Sequence, residues 1–468
     1  MAGGCAGITE GMSNRCMPRV NRAEEDVCTM ATVESSASAV GAPSIERDCL
    51  ELSYDHLMHE APDLGRLVSY VGNKSIPLLR LYRYKEAFAF DFVCEFIRRF
   101  ELDASDYVLD PFAGMGTTLL ACWSRGMRSI GIDRLPIAAF VAQAIVDMAL
   151  LTPGELTAAW RRLSSRVDRM PLASVAMDVP IMKVAFDERT LSRLRQWKSA
   201  IGELDDRVRD PALLLFFSVL ESTSYTSKDG QFLRLKRDKR PADADREIRR
   251  RFEEAEHDLV VLRHGLMGDF VRNKAERPAV FLGDTRSGEG TSIAGPVTAM
   301  ITSPPYVNRY DYTRTYCLEL CFHFVRDFDD LRAIRHGVLR SHIEARTSPD
   351  DCSPHAAVTE VLRALTAREL NNPRIPHMLL GYFVDMAKAI RQWSKWLAPG
   401  ARVALVVDNV RFEGEHIPVD LILSDIAAAM DFQVEEILIT RRKGNSSQQM
   451  GKYGRMPVRE SVVVWRRR

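Results

Sequence analysis

The chain carries nine cysteines among its 468 residues but no Cys-x-x-Cys pair and no zinc-ligand spacing, which argues against a structural zinc site or a dithiol redox motif. Cys317 and Cys321 stand one helical turn apart and read as buried core thiols. Long apolar runs are missing too: a stretch such as Ala212 to Leu220 is too short to span a bilayer. The start of the chain has no apolar signal core, and Ala2 excludes a myristoylation start. A cytoplasmic, reduced protein with no membrane partner is the expectation. Excess charge of one sign is absent as well, with 64 Lys and Arg against 63 Asp and Glu. Any nucleic-acid surface must therefore come from local clustering. No His-Glu-x-x-His occurs, and His336 and His342 read as lacking ligand-like neighbours, so no catalytic metal is expected.

What is present is a pattern of alternating elements. Residues up to about Ile45 are rich in Gly, Ala, Ser and Met without periodicity, and read as a mobile tail. Ala87, Phe90, Val93, Cys94 and Ile97 then recur at helical spacing. Next comes a strand from Tyr107 to Leu109 and the turn Asp110-Pro111-Phe112-Ala113-Gly114-Met115-Gly116. A helix from Thr117 to Arg125 and a strand from Ser129 ending at Asp133 follow. That order predicts the start of a doubly wound α/β sheet.

From about Leu151 to Asn273 the signal is almost purely helical. Leu191, Leu194, Trp197, Ile201 and Leu204 form one stripe; Ile248, Phe252, Ala255, Leu259 and Leu262 form another. Between them Ser227 to Arg251 reads as a basic loop. Strands resume at Ala279 to Leu282 and Val297 to Ile301, and a second helical stretch runs from about Leu318 to Leu370. A long helix from His377 to Leu397, a strand from Arg402 to Val407 and a helix from Val419 to Met430 follow. Two strands close the chain, Val434 to Ile439 and Ser461 to Trp465. This closing pair predicts one antiparallel member at the end of a parallel sheet.

Two strand ends carry the chemistry. Gly114 and Gly116 permit close backbone approach to a ligand, and Thr117 and Thr118 open a helix whose N-terminal end favours a carboxylate. Alone, such a turn also suits nucleotides, flavins or a ligand-free connection. Asp133, at the end of the second strand, is placed to accept hydrogen bonds from ribose hydroxyls. No phosphate-gripping Lys follows the turn, which excludes a P-loop; an adenosine ligand with a carboxylate fits better. The second end is Ser303-Pro304-Pro305-Tyr306. Its prolines stop the strand and leave carbonyl oxygens without ladder partners. The Ser303 hydroxyl and a Pro carbonyl can accept both hydrogens of one amino group, and Tyr306 offers a face for a base. A purely structural Pro-Pro turn is the alternative.

Asp-Pro-Phe-Ala-Gly-Met-Gly-Thr-Thr together with Thr-Ser-Pro-Pro-Tyr resembles the amino-methylating DNA methyltransferases, and the Ser-Pro-Pro-Tyr form looks most like their cytosine N4 branch. The likeness runs from about Tyr70 onward. Tyr82-Arg83-Tyr84-Lys85-Glu86-Ala87-Phe88 is similar to the family's cofactor-flanking segment, and Gly283-Asp284 to its third strand end. Leu397-Ala398-Pro399-Gly400 and Arg459-Glu460-Ser461 look like late signatures. The long helical stretch between second and third strands departs from the usual motif orders, so the family's target-recognition region is not carried over.

The resemblance implies an α/β fold: a doubly wound, mostly parallel, Rossmann-like methyltransferase sheet with a final antiparallel strand and large helical insertions. It implies S-adenosyl-L-methionine as cofactor, held by Phe88, Asp110, Phe112, Gly114, Gly116, Thr117, Asp133 and Asp284. Ser303, Pro304, Pro305 and Tyr306 would act on an amino group of a base flipped out of double-stranded DNA. No Pro-Cys dipeptide of the ring-carbon methylating enzymes occurs. Adenine N6 methylation, RNA amino methylation and a catalytically silent nucleic-acid binder are the rival readings. A cognate restriction or defence nuclease is a candidate partner.

The expected organisation is a tail over 1–48, the first cofactor-binding part over 49–150 and a helical insertion, the candidate DNA-recognition region, over 151–278. The catalytic strand ends span 279–317, a helical segment 318–376, and the second part of the methyltransferase domain 377–468. Nucleic-acid contact is expected from Arg234, Lys236 and Arg237 and, in a mobile basic hairpin from Arg441 to Arg455, from Arg441, Arg442 and Lys443. A solvated charged face is the alternative for both segments.

Overall fold

Strand alternation and helical stripes assemble around one central sheet in the computed structural model, which describes residues 44–230, 232–265, 276–444, 453–454 and 456–468. Eight strands form that sheet: β1 (Met58–Glu60), β2 (Tyr107–Asp110), β3 (Arg128–Asp133), β6 (Ala279–Leu282), β7 (Val297–Thr302), β8 (Leu397–Asp408), β11 (Phe432–Lys443) and β12 (Val458–Arg467). Their order across the sheet is β1-β11-β12-β8-β7-β2-β3-β6. Two small hairpins lie outside it, β4 (Thr226–Asp229) with β5 (Phe232–Leu235) and β9 (Val410–Phe412) with β10 (Glu415–Ile417).

β6, β3, β2, β7 and β8 are mutually parallel. β12 runs antiparallel to both neighbours, β8 and β11. The final strand is antiparallel, as expected, but it is inserted between two strands rather than set at the end of the sheet. It is long and apolar because it is covered on both faces: Val462, Val463, Val464 and Trp465 are all buried. The direction of strand order reverses between β2 and β7, so the C-terminal ends of these two strands flank the switch point at which such sheets bind ligands.

The helix Phe90–Arg99 buries Phe92, Val93, Phe96 and Ile97. Val93 and Ile97 of the expected stripe thus lie on the core face, together with Phe92 and Phe96, which the stripe does not include; Ala87, Phe90 and Cys94 are only partly buried. The stripes of the insertion do face a core: Leu194, Trp197, Ile201 and Leu204, then Ile248, Phe252, Ala255 and Leu259, are buried together. Cys317 and Cys321 are buried there too, their sulfurs 3.8 Å apart.

Three expectations need correction. The helix Ile45–Tyr54 begins inside the stretch to residue 48 read as tail; its Arg47 is buried and bridges Glu360 and Glu415. Residues 1–43 lie outside the described residues. The insertion is not purely helical, because the span read as a basic loop, Ser227 to Arg251, contains the hairpin β4–β5 and the first turns of the helix Ala244–His264. Gly230, at φ +58°, supplies the left-handed residue that the turn between β4 and β5 requires. In the helix, Arg249, Arg250 and Arg251 are paired with Glu247, Glu253 and Glu254 at helical spacing, which is why acids are mixed into the run. Finally, Arg441, Arg442 and Lys443 are strand residues of β11; residues 445–452 and 455 of the expected hairpin lie outside the described residues.

Candidate functional site

Asp110 closes β2 beneath the Gly-rich turn and is almost fully buried. A buried carboxylate needs partners. Thr118 Oγ1 donates to Asp110 Oδ2 at 2.7 Å and Thr302 Oγ1 to Asp110 Oδ1 at 2.6 Å. Burial nonetheless pushes the acid up to about 6 against those bonds. Asp110 thereby ties the turn after β2 to the end of β7, one residue before Ser303.

The turn itself is shaped by glycine. Gly114 (φ +53°) has the Tyr84 ring where a Cβ would come within 3.1 Å of it, and Gly116 (φ +82°) has Ala142 equally close. A side chain at either position would meet both a backbone penalty and a wall. Asp133, at the end of β3, accepts from the Gly114 N–H at 2.9 Å through Oδ2 and from the Leu135 N–H at 2.9 Å through Oδ1. Asp133 also lines the cleft, and a carboxylate oxygen that accepts one bond can accept a second. Burial raises this carboxyl to about 7 despite the two backbone donors.

These groups line a cleft at the C-terminal edge of the sheet, about 930 Å³ with its mouth included. Of the expected cofactor contacts, Phe88, Asp110, Phe112, Gly114, Thr117, Asp133 and Asp284 all line it, and Gly116 sits in the same turn. Phe112 meets Trp393 edge-on at 6.1 Å. Asp284 is already engaged: Arg286 donates to its Oδ1 at 2.9 Å and its Oδ2 at 2.7 Å. Burial raises this acid, but the Arg286 guanidinium outweighs it and holds the carboxyl below its ordinary value.

Sequence reasoning missed the opposite wall. Arg286 also donates to Asp385 and to the Gly337 carbonyl, which draws in Val338, Leu339, Ser341 and His342 to complete the cleft. Nothing in the spacing of that segment signals a site. His342 and Glu344 stand at a His-x-Glu spacing, which the sequence reading did not weigh, but Glu344 is paired with Arg314 and Arg335, and His342 Nε2 meets the Arg335 carbonyl at 3.1 Å. Among the described residues no cluster of His, Cys, Asp and Glu could hold a metal ion.

Ser303 leaves β7 beside β8, and its hydroxyl donates to the Val406 carbonyl at 3.3 Å. The same side chain also meets the Tyr306 hydroxyl, and a hydroxyl oxygen carries two lone pairs that can accept from a donor. Pro304, Tyr306, Asn308, Tyr310, Tyr312 and Glu86 enclose a second cavity of about 210 Å³. Ser303 and Pro305 line the larger cleft beside it. The tetrapeptide therefore stands between the two spaces. The Tyr306 hydroxyl donates to Glu460 Oε1 at 3.4 Å, and Lys443 Nζ lies 5.8 Å from the ring centroid. Burial, with the charges of Glu460 and Asp408, holds this phenol well above its ordinary value, so it stays neutral.

The two basic segments part company here. Arg441 and Lys443 both bond Glu460, whose side chain is 2% exposed, and Lys443 also reaches Asp408. Arg442 pairs with Glu60. On the hairpin β4–β5 and its exit, Lys236 pairs with Asp229 at the surface, whereas Arg234 and Arg237 are exposed with no ion pair to another described residue.

Known proteins match this frame along its length. A family described as DNA methylase matches residues 74–139, which hold the Gly-rich turn and Asp133. The type II methyltransferase M.BsoBI of Geobacillus stearothermophilus is 32% identical over 91% of this chain and 92% of its own. This chain belongs to the N6/N4 amino-group DNA methyltransferase family. A second relative of the methyltransferase, M.AvaI of Nostoc sp., is 33% identical over 93% of this chain and 96% of its own. Both alignments run nearly end to end, over 91% and 93% of this methyltransferase. The rRNA methyltransferase aviRa from Streptomyces viridochromogenes aligns over 92% of the chain at 13% identity with a TM-score of 0.28, too low to bear on the fold. No helix of the described residues is long and apolar enough to cross a membrane.

Proposed function

We propose that this methyltransferase transfers a methyl group to the exocyclic N4 of a cytosine flipped out of double-stranded DNA, with S-adenosyl-L-methionine as donor. The observation that carries the reading is Ser303, whose hydroxyl donates to the Val406 carbonyl and stands between the Gly-rich cleft and the Tyr306 cavity. When bound, the cofactor supplies an electrophilic methyl on a sulfonium. The cleft's residues fit such a group: two left-handed glycines bring backbone close, Asp133 can accept further bonds from ribose hydroxyls, and Phe88, Phe112 and Leu135 offer apolar wall.

The base amine is a poor nucleophile because its lone pair is delocalised into the ring. Ser303 Oγ and the Pro304 carbonyl accept its two hydrogens and favour a pyramidal nitrogen aimed at the cleft. Catalysis is then positioning and electrostatics. Lys443 covers one face of Tyr306, which leaves the other to stack the flipped base. The hairpin β4–β5, with exposed Arg234 and Arg237, supplies phosphate contacts, and the insertion over 151–278 carries target recognition. A cytoplasmic enzyme paired with a cognate restriction or defence nuclease is the cellular setting that fits this reading.

The test is product analysis. DNA treated with the protein and cofactor, digested to nucleosides and examined by mass spectrometry, should contain N4-methylcytosine. N6-methyladenine would reassign the base, and no methylated base would sink the activity.

A further inference from the structure

Methyl transfer to an amine leaves a proton to be removed, and the tetrapeptide has no group able to take it. The new N–C bond forms as the C–S bond breaks with its electron pair going to sulfur, so the positive charge passes to nitrogen. One N–H proton must then depart. Ser303 cannot hold it at neutral pH, because a protonated alcohol is a strong acid, and the Pro304 carbonyl cannot either. A carboxylate at the reacting edge could.

Three carboxylates stand around Tyr306. Glu460 is bound by Arg441, Lys443 and the Tyr306 hydroxyl, and Asp408 by Lys443. Neither lines the cleft or the second cavity. Glu86 lines both. No hydrogen bond or ion pair to another described residue engages its side chain. Its backbone sits at φ +62°, a left-handed conformation that a residue with a side chain rarely adopts and that tends to persist where a site requires it.

We propose that Glu86 is the proton acceptor of the reaction: once the N–C bond has formed, one N–H turns from its Ser303 or Pro304 acceptor to Glu86, which takes the proton and releases it to solvent through the open mouth of the cleft. The proposal rests on the amino-methylation reading given above. The surroundings suit the task. Desolvation in the cleft is the main effect that lifts Glu86 above the ordinary carboxylate range, and the Glu460 charge adds to it; Lys85, Lys443 and Arg441 oppose it. Tyr306, Tyr310 and Tyr312 also face it and remain neutral phenols, each pushed up first by burial. An acceptor whose affinity for protons lies nearer neutrality than that of a free carboxylate both accepts and releases efficiently.

Glu86→Gln keeps the shape and removes the base. Single-turnover methylation should fall about a hundredfold, the lower end for a positioned proton acceptor, and the acidic limb of the wild-type rate–pH profile should vanish. Cofactor affinity by calorimetry and the fluorescence rise of 2-aminopurine at the target position should stay at wild-type values, which reports an intact fold and normal base flipping. Glu86→Asp should restore part of the rate and the limb. A Glu86→Gln rate within twofold of wild type overturns the proposal. So does an acidic limb that survives in Glu86→Gln but disappears in Asp408→Asn, and so does a loss confined to 2-aminopurine flipping. Failure of wild-type protein to methylate any base amine is a different result, which falls on the amino-methylation reading.

Discussion

Arg234, Lys236 and Arg237 beside β5 and Arg441, Arg442 and Lys443 at the end of β11 are equally dense in charge along the chain. In the fold, the first group keeps two cations exposed and unpaired among the described residues. The second spends all three on Glu460, Asp408 and Glu60. The buried acid within reach of the hairpin, Glu319, is taken by Lys228 of β4, and Arg234 and Arg237 have no ion pair to another described residue. The end of β11, by contrast, lies against β12, which delivers a buried glutamate beneath it. Basic density therefore leaves cations available for a phosphate only where the neighbouring elements do not pair them. Near a buried carboxylate the same residue types are spent on ion pairs, here beside Tyr306.

The strongest way to break this contrast is to delete the second group. Arg441→Ala with Lys443→Ala leaves Glu460 buried without a cation and should cost about 3–5 kcal/mol of folding stability, read from urea unfolding; a change below about 0.5 kcal/mol would show that these cations are surface charges after all. Tyr306→Ala sharpens the same point at smaller cost. It should lose about 1–3 kcal/mol of base stacking, seen as slower methylation, while unfolding and cofactor affinity stay close to wild type. Methylation at the undiminished rate would remove Tyr306 from the site.

A third effect is a pH dependence. Burial pushes Asp408 up to about 7, with the Glu460 charge adding and Lys443 opposing. A carboxyl raised in the folded state binds protons more tightly there than in the unfolded chain. Its contribution to stability is therefore present below the ordinary carboxylate range and is lost as pH rises through about 7. Asp408→Asn should flatten stability across that window, and an unaltered slope would assign it to other groups. The smallest effect on folding belongs to the first basic group. Neutralising Arg234, Lys236 and Arg237 together should leave stability within about 0.5 kcal/mol. It should nonetheless flatten the salt dependence of DNA binding by about one slope unit per lost phosphate contact. Equal affinity and slope in the triple variant would assign that hairpin to solvent.

Some of this was written locally. The strand–turn–helix–strand unit from Tyr107 to Asp133 is legible because glycine, aspartate and apolar periodicity act over a few residues, and so do the two prolines after Ser303. Those residues fix the sheet's ligand edge whatever surrounds it. The position of β12 was not legible, since a closing pair of strands reads the same at an edge or inside; apolar cover on both faces decided it. Nor did any local pattern mark Val338 to His342 as a wall of the cleft, because Arg286 recruits that segment through Gly337 and Asp385 from far along the chain. The sequence by itself determined which groups exist to bind and react: left-handed glycines, an acid at each strand end, a serine and a tyrosine around two prolines. Only the tertiary structure decided which charges are free, because pairing of Arg441 and Lys443 with Glu460 depends on strand neighbours that sequence distance does not reveal.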